Sequence, residues 1–369
     1  MEYLPFTKPF VDEETIAGVA DVLRSGWLAT GPNVAQLEKR LSDYVGGRLV
    51  KSFTSATGAL EVALELCGIG PGDEVITPAM SFTATPNVIM RVGAKPVFVD
   101  VGLASRNIDL DAVEDAITPN TRAIMPVHFA GLAVDCDKLY AIAEKHGLRV
   151  IEDAAHAIGT QWRGKKIGSF GDLVSFSFHP NKNMTTIEGG ALCLSDPVEA
   201  KKLDQLRFHG LVKDEEGNQA VLLAGGKYNL SDVAARVGLG QLAQLDAFNE
   251  KRRQLVQRYF ECWNIEGCIL PMDGDGHSWH MFAPLIPFER YRTSRREFIR
   301  KMHDEGIGVG IHYPALHLFS LYRQQGCKEG DFPNAERIGS ETVTLPLFPM
   351  MTSADVERVC STVARILKP

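Results

Sequence analysis

Three short stretches of this 369-residue chain carry residue types that could do covalent chemistry on a bound group. The first, SFSFHPNKNMTTIEGGALCLSD (175–196), runs as a strand of alternating Ser and Phe and then stops, leaving Lys182 just past its carboxyl end. An amine crowded by Phe176, Phe178 and His179 loses hydration, which lowers the ammonium pKa and makes the group nucleophilic. The second, VIEDAAHAIG (150–159), closes an apolar strand with Glu152 and Asp153 and adds His156 three residues on. A carboxylate buried at such a place is costly unless a cation or good donors meet it. The third, TSATGAL (54–60), sets Thr57 and Gly58 directly before an apolar helix, where free amides and the helix dipole can seat a phosphate. Taken singly, each also reads as ordinary structure: a solvated lysine, a capping aspartate, an N-cap.

Together they read otherwise. A phosphate seat, an acid able to keep a ring nitrogen protonated and a lysine able to form a Schiff base are what pyridoxal 5'-phosphate (PLP) requires. A flat side chain against the ring face completes the set, and Phe82 in PAMSFTATPN is placed to supply it.

The elements that must position these residues follow from periodicity. Apolar strands are expected over 74–77, 95–101, 121–127, 148–152 and 172–178, with helices between them such as 59–67 and 136–146. Strands separated by helices of this size imply right-handed βαβ units and a mainly parallel sheet, whose ligands collect at the carboxyl ends of the strands. After about Gly240 the pattern changes to a helix containing 248–259, sparser strands over 279–287 and 308–313, and a closing helix over 353–367. The expected fold class is therefore α/β, with residues 1–240 a large cofactor-binding domain and residues 241–369 a small α+β C-terminal domain.

Composition narrows the function classes. A net charge of -7 and a pI near 5.8 argue against a nucleic-acid surface, and the basic runs Lys251-Arg252-Arg253 and Arg295-Arg296 read as solvated helix faces. The seven cysteines are dispersed without CxxC spacing, which fits reduced thiols rather than disulfides or a metal site. The N-terminus has no apolar core of signal-peptide length, and no apolar run is long enough to span a bilayer. A cytoplasmic protein without nucleic-acid or membrane partners is expected.

Motifs along nearly the whole chain resemble the DegT/StrS family of PLP-dependent sugar aminotransferases. They include SGWLATGP (25–32), TSATGAL, GDEVITPAMSF (72–82), PVHFAG (126–131), VIEDAAHAIGT, the Lys182 segment, RFHG (207–210), GGKYNLSD (225–232), GIGVGIHYPALH (306–317) and LPLFPMMT (345–352). Within the family the likeness is to the branch that makes aminoarabinose for lipid A modification. The resemblance implies PLP fold type I (aspartate aminotransferase-like) and an amino group passed from an amino acid, glutamate, to a keto sugar, a 4-keto nucleotide sugar. It implies that Lys182 forms the Schiff base, Asp153 pairs with the pyridine nitrogen, Phe82 stacks on the ring, Thr57, Gly58 and Ser177 hold the phosphate, and His156 lies near the ring hydroxyl. It further implies a homodimer in which Asn229 reaches the neighbouring subunit's phosphate, with Trp27, Thr30, His312 and Tyr313 bordering the substrate pocket. Phe82 stands where Trp or Tyr is common, His156 where Gln is common, and Pro180-Asn181 replaces a smaller pair. A non-nucleotide carbonyl acceptor, a sugar dehydratase and a non-catalytic regulator are the alternatives; the dehydratases carry histidine at the position of Lys182.

Overall fold

The computed structural model describes residues 2–214 and 216–368. Strands β1 (Leu49–Phe53), β2 (Glu74–Pro78), β3 (Lys95–Val99), β4 (Thr121–Ile124) and β5 (Arg149–Asp153) enter one sheet. A small hairpin of β6 (Gln161–Trp162) and β7 (Lys165–Lys166) precedes two more sheet strands, β8 (Leu173–Ser177) and β9 (Gly190–Leu194). A second hairpin pairs β10 (Leu211–Lys213) with β11 (Gln219–Val221). The seven-stranded sheet has the order β1-β9-β8-β5-β4-β2-β3, and only β9 runs against the others. Six carboxyl ends therefore open on one side, as the periodicity implied. Every residue of β8 is buried, the mark of a strand covered on both faces.

Helices α1 (Glu13–Ser25) and α2 (Pro32–Tyr44) lie ahead of the sheet, followed by α3 (Ala56–Leu66), α4 (Ala84–Arg91), α5 (Leu110–Asp115), α6 (Cys136–His146) and α7 (Pro197–Arg207) between strands. α3 is buried nearly all round because it packs on the sheet with α4 and α7 over it. α6 begins at Asp135, whose carboxylate accepts from the Lys138 amide, and stops at Gly147 in the left-handed region. Such caps contribute about 1 kcal/mol each and fix where the following strand begins.

The chain then enters α8 (Asp232–Cys262), 31 residues capped by Ser231. The expected boundary at 240/241 falls inside this helix, so the two parts are joined by continuous α-helix. Leu255, Val256 and Tyr259 on its C-terminal half enter a separate core with α9 (Arg295–Asp304) and α12 (Ser353–Ile366). Two shorter helices, α10 (Ser320–Arg323) and α11 (Pro333–Glu341), pack instead toward the cavity side of the sheet.

Two sequence expectations need correcting. The segments 279–287 and 308–313 are not ladder strands; they make single bridges at Phe282 to Leu345, Leu285 to Ile269 and Thr342, and Gly310 to Thr344. Pro284 and Pro287 lack the amide a ladder needs, and Trp279 takes a left-handed φ of 49°. The run Lys251-Arg252-Arg253 is not a solvated face throughout. Arg252 is 2 % exposed and donates from one terminal nitrogen to the carbonyl oxygens of His280 (3.2 Å) and Leu347 (2.8 Å). Arg295 also turns inward, toward the carbonyls of Gly339 and Thr342.

Candidate active site

The carboxyl ends of β1, β2, β5 and β8 surround a cavity of about 310 Å³, lined among others by Thr57, Phe82, Asp153, His156, Ser177 and Lys182. Residues singled out from three stretches some 125 positions apart thus meet in one place. His312 and Tyr313 line it from the C-terminal part.

Lys182 arrives through the loop that joins β8 to β9. The Phe178 amide donates to Gly189, the Thr186 amide returns to Phe178, and the Lys182 amide closes a turn on His179. This folds the loop back so that the amine enters the cavity. Burial pushes the Lys182 amine down to about 8, against the opposing pull of the Asp153 carboxylate. A group with that pKa is partly neutral near pH 7, which an exposed lysine is not.

Asp153 ends β5 and is 5 % exposed. One carboxylate oxygen accepts from Thr85 Oγ1 at 2.9 Å and the other from the Ala155 amide at 3.1 Å. Burial raises its pKa, while Thr85, Ala155, Lys182 and His128 counter that rise by favouring the anion. Its neighbour Glu152 points to the other face of the strand. There it accepts from His128 Nε2 (2.7 Å) and from the Tyr140 hydroxyl, while His128 Nδ1 accepts from the Val134 amide. The two acids are thus separated by strand alternation: Asp153 serves the cavity and Glu152 locks the strand end to α6 and the loop before it.

The phosphate-seat motif begins α3. Ser55 caps the helix by accepting from the Gly58 amide at 3.0 Å, leaving the amides of Ala56 and Thr57 without a partner among the described residues. Two glycines make the seat possible. A Cβ at Gly190 would come within 2.4 Å of the Ala56 nitrogen, and one at Gly58 within 2.9 Å of the Tyr228 ring. Gly58 is therefore in the wall behind the seat and does not itself line the cavity.

Phe82 is 56 % exposed, its ring 5.8 Å from that of Tyr313. His156 lies behind, stacked on His280 with ring centres 4.5 Å apart, and burial holds both well below the usual imidazole pKa. Trp27, Thr30 and Asn229 are not in this chain's cavity. They form a cluster of their own, in which Trp27 Nε1 donates to the Thr30 carbonyl (3.1 Å) and Asn229 Nδ2 to the Thr30 hydroxyl (2.5 Å). Sequence reasoning passed over Thr85, Ser55 and Glu188, which hold Asp153, cap α3 and line the cavity. Thr85 stands three residues after Phe82, in a segment already singled out.

Comparison with known proteins decides the class. The profile of the DegT/DnrJ/EryC1/StrS aminotransferase family matches residues 9–364. The chain belongs to this family. It is 40 % identical over 379 residues to the spore coat polysaccharide biosynthesis protein SpsC of Bacillus subtilis, covering 99 % of this chain and 97 % of that one. Spr1654 of Streptococcus pneumoniae, solved in PLP and PMP forms, superposes with a TM-score of 0.93 in the PMP form, at 33 % identity over 99 % of this chain and 98 % of the other. DesI, solved in the presence of its TDP-sugar product, gives a TM-score of 0.90 at 28 % identity over 100 % and 93 %. As a family member the chain is a PLP-dependent aminotransferase of fold type I.

The residues present fit that cofactor. A buried carboxylate with two neutral donors and no ion-pair partner among the described residues suits a protonated ring nitrogen. Unpaired amides at a helix start suit a phosphate, and an amine lowered to about 8 suits covalent attachment. Among the described residues no helix is long and apolar enough to cross a membrane, and all seven cysteines are free.

Proposed function

We propose that this enzyme moves an amino group from glutamate to the carbonyl carbon of a keto sugar, carried as a 4-keto nucleotide sugar, at active sites shared across a homodimer. The observation that carries the reading is the meeting of the Lys182 amine, the buried Asp153 carboxylate and the free amides of α3 in one cavity. The acceptor class is supported by two relatives: SpsC is named for polysaccharide biosynthesis, and DesI was solved with a TDP-sugar.

Lys182 would hold PLP covalently, Asp153 would face its ring nitrogen, Phe82 one ring face, and Thr57 and Ser177 the phosphate, with Gly58 in the wall behind it and His156 near the ring hydroxyl. Bound PLP supplies an electron-accepting ring that lets the α-carbon of an amino acid give up its proton. Asp153, whose anion Thr85 and Ala155 favour against the burial that raises its pKa, would keep the ring nitrogen protonated and so keep the ring electron-poor. Lys182, once free, is neutral enough at physiological pH to take the α proton from the donor and to return a proton on the way to product. His312 and Tyr313 line the cavity from the C-terminal part, beside the groups that would take part in that exchange.

The shared site is supported by surface chemistry. Trp27 (61 % exposed), Leu222 (67 % exposed), Val221 and Phe208 are large apolar groups left open beside Asn229 or on the adjoining hairpin. The test is turnover with glutamate against a panel of keto nucleotide sugars and simple carbonyls, scoring oxoglutarate and the aminated product. Lys182→Ala should abolish both the visible absorbance of the PLP-loaded protein and turnover. Wild-type turnover by that variant would overturn the assignment.

A further inference from the structure

His156 is gripped by partners that decide where its proton sits. The Ala130 amide, which can only donate, lies 3.3 Å from Nδ1, so this nitrogen is an acceptor and the neutral ring carries its hydrogen on Nε2. Ala130 reaches this position only by adopting a left-handed φ of 55°, a conformation that costs a non-glycine residue energy. The stacked His280 blocks rotation from behind. It is fixed in turn: Asn183 spends its amide hydrogens on Asn249 Oδ1 (2.7 Å) and the Ser278 carbonyl (2.9 Å), and so presents its oxygen to His280 Nδ1 at 3.2 Å. His156 Nε2 then faces the Tyr313 hydroxyl at 3.3 Å. Because the nitrogen is the donor, the phenol oxygen accepts, and its own hydrogen is unspent among the described residues. Tyr313 lines the cavity beside Lys182 and Asp153.

We infer that Tyr313 is a further catalytic residue, whose hydroxyl donates a hydrogen bond to a negatively charged oxygen in the cavity, and that His156 is the positioning residue that keeps this hydrogen turned there. The inference rests on the proposed function, in which two oxygens have this chemistry: the ring oxygen of PLP and the acceptor's carbonyl oxygen as charge develops on it. The ionisable groups facing the pair are Lys182, Asp153, His280 and His312, and burial keeps the Tyr313 phenol protonated.

Nitrogen-detected NMR of the cofactor-free protein with labelled histidine reads the tautomer directly. His156, assigned by comparison with His156→Gln, should carry its hydrogen on Nε2; a hydrogen on Nδ1 would overturn the inference. In the PLP-loaded protein, Tyr313→Phe removes one oxygen and keeps the ring. If Tyr313 serves the ring oxygen, the midpoint of the visible absorbance titration rises by about one pH unit, a tenfold change in the proton equilibrium, because the anionic form has lost a donor. If it serves the acceptor, the titration stays and the half-reaction with the keto substrate slows at least about tenfold while the half-reaction with the amino donor does not. Neither change, in a variant that takes up PLP normally, overturns the donor role alone; failure of the wild-type protein to take up PLP through Lys182 would instead sink the proposed function.

Discussion

At the scale of single residues, the site turns on a lysine and an aspartate whose environments oppose their charged forms. Lys182 is lowered to about 8 by burial, and the nearby Asp153 carboxylate limits that fall. Only the neutral amine attacks a carbonyl, so attachment of PLP to the cofactor-free protein should quicken with pH and level off above about 8, rather than near 10.4 as for a solvated lysine. Removing the opposite charge favours the neutral amine further. Asp153→Asn should therefore move the midpoint to lower pH, even as the variant loses turnover for want of a partner to the ring nitrogen. Stopped-flow absorbance against pH measures both midpoints, and an upward move in Asp153→Asn would contradict an attraction between the Asp153 carboxylate and the Lys182 ammonium. That Lys182, Asp153 and Phe82 gather at one cavity was legible in the sequence because each ends or follows a strand with a recognisable apolar pattern. The partners that tune them were not. Thr85 meets Asp153 across 68 positions, and Ala130 meets His156 through a backbone amide in a strained turn, which side-chain identity cannot announce.

At the scale of elements, the α3 N-terminus is a seat only because β9 passes directly beneath it. Gly190 lies where any side chain would meet the Ala56 nitrogen and the Ser55 carbonyl carbon, at 2.4 and 2.6 Å, both of them backbone atoms with little room to yield. Gly190→Ala should displace the free amides and weaken PLP binding at least tenfold, about 1.4 kcal/mol, with the far-ultraviolet circular dichroism unchanged; a titration of the cofactor-free variant decides it. The central strands were readable because buried parallel strands are short apolar runs. The C-terminal extended segments misled for the converse reason: 279–287 is as apolar as a strand, yet its prolines leave only isolated bridges. α8 misled through its length. A basic triplet on an exposed helix is solvated, but this helix crosses from one core to the other and turns Arg252 inward at the crossing. Arg252→Met should strand the carbonyls of His280 and Leu347 and lower unfolding stability by about 1–3 kcal/mol. The half-exposed neighbour gives the control: Arg253→Met should stay within about 0.5 kcal/mol, both read from urea midpoints.

At the scale of the whole molecule, the walls of the cavity come from distant parts of one chain. The N-terminal segment straps the C-terminal core to α8: Leu4 bridges Ile307, Phe6 stacks on His312 at 5.3 Å, and the Phe10 carbonyl accepts from Gln241 at 2.6 Å. That strap holds the wall carrying His312 and Tyr313. Asn229 and Trp27, by contrast, gather with Thr30 outside the cavity, beside open apolar groups. If a second copy covers this face, Asn229 serves the partner's site, and the two kinds of defect can be separated between subunits. A Lys182→Ala chain would lack the amine in its own site yet lend an intact Asn229; an Asn229→Ala chain would do the reverse. Each variant alone should have little or no turnover. In a mixed dimer one site inherits both defects and the other neither. Random pairing of equal amounts makes half the dimers mixed, so about one quarter of the wild-type sites should return after the two are unfolded together and refolded. Recovery of that order, with two-fold mass by light scattering, is the expected result. Absence of any recovery in confirmed mixed dimers would place Asn229 in its own chain's site and remove the need for sharing.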